Sequence, residues 1–263
     1  MGTDKENRDS SQKYVVVMRG LIREHRHWGP YQAMLEAALP DVQIINMDIP
    51  GNGLLHEKTS MTCIDDNVDY VRAQFKEKVP NDASTGLIAM SLGGMIATAW
   101  MQKYPDDFDR ALLINTSFSG LSPFYHRMQL SAAAKVIPAR FKSSPAASEE
   151  AIIDVVSNSP HKKEELLPVW VRLAQESPVK KRNALRQLYA GLRYRPNLKE
   201  KPKTPILLLA GKGDRLCSYR CSEAIAAHWF LPIRLHDSGG HELHHDAPDW
   251  TFQNIQEWFS ELA

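Results

Sequence analysis

The sequence predicts an α/β fold, with a mostly parallel central sheet and helices on both faces. Three observations carry that prediction. Short apolar runs alternate along the chain with longer segments of helical periodicity. Turn-forming clusters follow several of the runs, as at Arg19-Gly20 and at Asp48-Ile49-Pro50-Gly51-Asn52-Gly53. And 263 residues, 43% of them hydrophobic, are enough to bury the core of one domain with an insertion or of two small domains.

The elements follow in order. Tyr14 to Met18, with three valines at its centre, reads as a buried strand. Tyr31 to Leu39 has helical spacing and stops before Pro40. Val42 to Met47 is a second strand, and Thr62 to Phe75 a helix with Thr62 as a candidate cap. Gly86 to Met90 is a third strand, and Leu92 to Tyr104 a helix directly behind it. Arg110 to Asn115 reads as a fourth strand, Pro205 to Ala210 as a fifth and Ile233 to His236 as a weaker sixth. Asp249 to Leu262 closes the chain as an amphipathic helix. In such folds the sites lie in loops at the carboxyl ends of the strands.

Between the fourth and fifth strands the alternation stops. Residues 121–202 offer only helical pieces, punctuated by Pro138, Pro145, Pro160, Pro168 and Pro178, and read as a helical lid or cap. The expected organisation is therefore a disordered polar leader over 1–13, a core in two parts, 14–120 and 203–263, and the insertion over 121–202. The insertion carries 15 Lys or Arg against 7 Asp or Glu. Such charge favours anionic substrates or is solvated helix surface.

A net charge of +1 gives no global field for nucleic acid or a membrane surface, so neither partner is expected. No stretch approaches the ~20 apolar residues of a spanning helix, and the first thirteen residues lack a signal peptide's apolar run. Three cysteines, Cys63, Cys217 and Cys221, argue against a disulfide framework and for a reducing, cytoplasmic setting. Cys217 and Cys221, four apart, read as small residues at a helix start rather than a metal pair.

The chemistry is carried by three stretches. Ala89-Met90-Ser91-Leu92-Gly93-Gly94 joins an apolar strand to a helix, and a tight turn there pushes the Ser91 hydroxyl out above the sheet. Alanine replaces the first glycine of G-x-S-x-G, a mild departure because alanine is also small. A helix-capping serine is the competing reading. Serine needs a base at neutral pH, and Gly239-Gly240-His241, after the last strand, offers an imidazole on an open turn. The imidazole needs a carboxylate to hold its tautomer, and Gly211-Lys212-Gly213-Asp214, after the fifth strand, supplies one. Asn115-Thr116-Ser117, after the fourth, does not. Acyl transfer also needs oxyanion donors: the Leu92 N–H at the helix start, and the Leu21 N–H after Arg19-Gly20.

With these stretches in hand, the chain resembles the α/β-hydrolase superfamily in its compact, lidded, single-domain form, from about Lys13 to the C-terminus apart from the variable insertion. Arg19 stands where the family usually has histidine, and forms either a salt bridge or a contact to an anionic group. The resemblance implies a catalytic triad of Ser91, His241 and Asp214, an oxyanion hole at Leu21 and Leu92, an acyl-enzyme intermediate, and no cofactor or metal. The expected activity is carboxylesterase-like, on a small-molecule acyl substrate. Thioesters, lactones and carbon–carbon bonds beside a carbonyl remain open, as does a non-catalytic ligand receptor on the same fold. Serine at position 91 disfavours chemistries that use a carboxylate nucleophile. Met90 and Trp28 are the candidate substrate contacts; His25, Arg26 and His27 share Trp28's loop.

His241-Glu242-Leu243-His244-His245 also satisfies H-E-x-x-H. Zinc hydrolysis would need both histidines on one face of a regular helix and a third ligand. Gly239-Gly240 and Pro248 crowd the segment, so packing or loop roles are expected for His244 and His245.

Overall fold

A computed structural model describes residues 12–139 and 144–260. Its centre is a six-stranded, wholly parallel sheet in the order β2-β1-β3-β4-β5-β6. The strands are β1 (Lys13–Met18), β2 (Val42–Met47), β3 (Ser84–Met90), β4 (Arg110–Ile114), β5 (Ile206–Gly211) and β6 (Ile233–His236). Every residue of β3 and β5 is buried, as expected for inner strands covered on both faces.

Alternate residues sort the two faces. Val16, Met18, Leu87, Ala89, Leu113 and Leu208 join one core, with α2 (Ile64–Lys78), α3 (Leu92–Lys103) and α9 (Arg220–Trp229). Val15, Val17, Ile88, Met90, Leu112 and Leu207 join the other, under α1 (Pro30–Ala38) and α11 (Pro248–Phe259).

Among the described residues, five helices lie between β4 and β5: α4 (Phe124–Arg127), α5 (Leu130–Ala139), α6 (Pro145–Val156), α7 (Pro160–Glu176) and α8 (Lys181–Arg193). Helices α5 to α7 build a third core around Ile152, Ile153 and Trp170. Some of the basic charge here is local surface pairing, as in Lys163 with Glu150 and Asp154, or Lys180 with Glu57. A further short helix, α10 (Leu243–Asp246), precedes α11.

Several boundaries differ from the sequence reading. The expected leader over 1–13 lies mostly outside the described residues, and Lys13 opens β1 by pairing with Val42 and Ser84. The second helix starts at Ile64 rather than Thr62, its N-cap is Cys63, and Asp65 and Asp66 place negative charge in its first turn. Pro145 and Pro160 start helices, whereas Pro138 and Pro168 lie inside α5 and α7. Burial of Leu166, Trp170 and Leu173 on either side holds α7 together across the N–H that Pro168 lacks. Among the described residues no helix is long and apolar enough to cross a membrane.

Candidate active site

Because every strand is parallel, the loops after β1, β3, β4, β5 and the segment after β6 emerge at one edge of the sheet. Ser91 sits between β3 and α3 with φ +55 and ψ −117, a region L-residues rarely enter. The turn is fixed from below: Ser91 N–H donates to Ile114 O at 2.9 Å, and Thr116 Oγ1–H to Ser91 O at 2.9 Å. It is also crowded. A Cβ on Gly93 would lie 2.6 Å from Arg19 O, so the elbow tolerates no side chain there.

Asp214 follows β5 and its side chain is fully buried. Its Oδ1 accepts from Leu216 N–H at 2.8 Å and Cys217 N–H at 2.9 Å. Its Oδ2 lies 2.6 Å from His241 Nδ1, which leaves Nε2 as the basic nitrogen. Burial pulls the His241 pKa down; the Asp214 charge and hydrogen bond more than offset it, so the imidazole titrates above its ordinary value. Ser91 and His241 line the same two cavities, each of about 60 Å³. Leu21 lines both as well, with Met128 from the turn between α4 and α5. Among the described residues, neither Leu21 N–H nor Leu92 N–H donates to a backbone carbonyl, so both remain available as donors.

Met90 lines one of these cavities, and its sulfur accepts from Arg19 Nη1 at 3.2 Å. Trp28 corrects the sequence reading. It is 1% exposed, stacks on Tyr31, meets the His244 ring at a tilt, and carries the Arg19 guanidinium over its ring at 4.7 Å. A ring this apolar is worth more in the core than in the loop where it was expected, and it lines neither cavity around Ser91. His27 is buried too, packed edge-on against Trp170.

Arg19 resolves as a buried salt bridge: its Nη2 is 2.6 Å from Glu242 Oε2. Glu242 is thereby committed within the H-E-x-x-H stretch. Burial alone would raise its pKa, but the Arg19 charge and hydrogen bond bring it down to about 2. His241 lies outside any helix, and His244 and His245 sit in the four-residue α10, their rings packed at 4.1 Å. Glu242, His244 and His245 do converge, but around a fixed guanidinium.

Two residues escaped the sequence reading. Asn115, with φ +47, donates from Nδ2 to Gly240 O at 3.2 Å and His241 O at 2.8 Å, and accepts from Gly211 N–H at 3.0 Å. It ties the segment bearing the histidine to the strand end that precedes the aspartate. Asparagine at a strand end was the available signal, because Asn tolerates a left-handed backbone. Gln187 of α8, 2% exposed, reaches the loop after β1; no sequence pattern marks it.

This fold and this site define a member of the α/β-hydrolase superfamily. More narrowly, residues 9–248 match the family described as serine aminopeptidase, S33, and the chain belongs to that family. A biotin biosynthesis bifunctional protein of Teredinibacter turnerae is 24% identical over 261 residues, which cover 92% of this chain and 44% of the relative. The chain thus spans less than half of that relative's length. Among solved structures, a putative non-heme bromoperoxidase of Mycobacterium tuberculosis has TM-score 0.74 and 19% identity, covering 97% of this chain and 94% of that one. The esterase RhEst1 of Rhodococcus has TM-score 0.75 and 15% identity, covering 97% and 93%. At these identities the solved structures speak for the fold alone.

Proposed function

We propose that the chain is a serine hydrolase that cleaves carboxylic esters through Ser91, His241 and Asp214. The observation that carries this reading is a strained serine and an aspartate-held histidine facing the same cavities. In the first step His241 Nε2 takes the Ser91 proton as Oγ bonds to the substrate carbonyl carbon. The tetrahedral oxyanion accepts from the Leu21 and Leu92 N–H groups. His241 then returns the proton to the departing alcohol, leaving an acyl-serine. Water, deprotonated by the same imidazole, attacks that ester and releases the acid, and Ser91 regains its proton. No metal or cofactor enters.

In this reading the helices between β4 and β5 act as a lid, since Met128, Val136, Ile152 and Val156 share a cavity with Ser91. The small volume beside Ser91 supports a short acyl group. A fluorophosphonate probe tests the assignment. It is expected to label the chain stoichiometrically and to fail on Ser91→Ala; labelling indifferent to that change would defeat it. Esters of graded acyl length test the specificity, with acetate and butyrate expected to turn over faster than dodecanoate.

A further inference from the structure

The loop after β1 is held in part from outside the core. Ile22 has φ +54, an outlier for a β-branched residue, and follows directly on Leu21. Strain of this kind persists only where surrounding structure over-determines it. Beside the Arg23 N–H to Gly20 O turn bond at 3.3 Å, two of the loop's tethers come from the inserted helices. Arg23 Nη2 lies 2.9 Å from Glu149 of α6, a pair almost wholly buried. And Ile22 N–H donates to Gln187 Oε1 of α8 at 2.9 Å.

Gln187 is itself anchored. Its Nε2 donates to Asn52 Oδ1 at 2.7 Å and to Ser60 Oγ at 3.0 Å. Asn52, 1% exposed, donates from Nδ2 to Arg23 O at 2.8 Å, on the far side of Ile22. Ser60 Oγ–H in turn donates to Pro50 O at 2.8 Å. The Asp48-Ile49-Pro50-Gly51-Asn52-Gly53 turn therefore has a task here: it fixes an amide side chain and a backbone carbonyl that together pin one dipeptide.

We propose that Gln187 is a positioning residue which makes the oxyanion loop dependent on the inserted helices: it accepts the Ile22 N–H, holds that residue in its left-handed conformation, and so aims the preceding Leu21 N–H at the developing oxyanion. This rests on the hydrolase reading above. The donor at Leu21 is correct only while α8 is docked, so closure of the insertion and assembly of the oxyanion hole are one event. An alternative anchoring through the β1 core is absent from Ile22 N–H, whose partner lies 165 positions downstream.

Gln187→Leu keeps the volume and removes the acceptor, while Gln187→Glu keeps an acceptor and loses the donors to Asn52. Rates are normalised to competent sites counted with the fluorophosphonate probe. The expected order of kcat is unchanged chain, then Glu, then Leu, with Leu at least about tenfold down and KM within about twofold. A trifluoromethyl ketone, which mimics the tetrahedral anion, should weaken in parallel with kcat/KM. Hydrogen exchange should show the Ile22 amide deprotected in Gln187→Leu. If that variant does not fold, the Glu variant's rate and exchange decide alone. Unchanged kcat per site, or a loss confined to KM or to the number of sites, would overturn the proposal. An unchanged chain that takes no probe would instead remove the hydrolase reading, and this inference with it.

Discussion

Gly20 and Ser91 are packed so closely that a Cβ on Gly20 would lie 2.8 Å from the Ser91 Cβ and 3.3 Å from its Oγ. The loop after β1 therefore passes directly against Ser91, the nucleophile of the proposed mechanism. Gly20→Ala should push loop and serine apart. Sub-ångström to ångström misplacement of this kind lowers kcat by about tenfold to a hundredfold. The check is ester turnover alongside thermal melting; full activity in a variant with an intact melt would count against the contact's role.

In the proposed mechanism His241 acts as a base only when neutral. Its folded pKa is raised, so kcat/KM should climb with pH through an acidic limb whose midpoint lies above about 6.5, the ordinary imidazole value. In Asp214→Asn the raising influence goes and desolvation stays, so the limb should move to lower pH while the plateau falls by orders of magnitude. The same raised pKa bears on folding. It contributes stability that is complete below the unfolded value near 6.5 and disappears as pH rises through the folded value. Initial rates from pH 5 to 9 for both proteins settle the direction of the shift.

Arg19 and Glu242 form a buried pair, side chains 2% and 3% exposed. Glu242→Gln should destabilise the fold by about 3–5 kcal/mol, because it strands a buried guanidinium. The Glu242 pKa of about 2 lies below its ordinary value. Its contribution is therefore present above about pH 4.5 and is lost as pH falls through 2. Urea denaturation at pH 7 and at pH 3 measures both effects; equal stability of the variant and the unchanged chain would contradict the pairing.

Asn115→Ala should leave the Gly240 and His241 carbonyls and the Gly211 N–H short of partners. Each such loss costs about 1–3 kcal/mol where the group stays buried. The histidine segment should loosen while the Asp214 contact survives, so kcat falls and the midpoint of the acidic limb stays in place. A limb that moved as far as in Asp214→Asn would show that Asn115 acts on the imidazole charge instead.

A chelator is expected to leave ester turnover unchanged, since Glu242 is engaged by Arg19. Turnover restored only by added zinc would revive the H-E-x-x-H stretch as a metal site.

The inner strands β3 and β5 were legible because burial on both faces demands continuous apolar runs, and the partly buried edge strands Val42–Met47 and Ile233–His236 also coincide with their sequence boundaries. Helix ends drifted by one to three residues, as at Ile64 and Phe259, because local cap chemistry competes with packing. Ser91, Asp214 and His241 are candidates named from turn chemistry: Ser91 and Asp214 follow the apolar strands β3 and β5, and His241 follows Gly239-Gly240. Trp28 was misplaced for the converse reason: a loop position says nothing about which way a large ring turns.

By itself, then, the sequence determined the alternation of strands and helices and the residue types at the strand ends, because backbone hydrogen bonding and apolar periodicity are local properties. Only tertiary structure decided that Arg19 would close on Glu242, that Asn115 would join two distant strand ends, and that Gln187 would reach across 165 positions to Ile22. Those pairings depend on which polar groups are left without water once the core has formed, and no window of neighbouring residues contains that information.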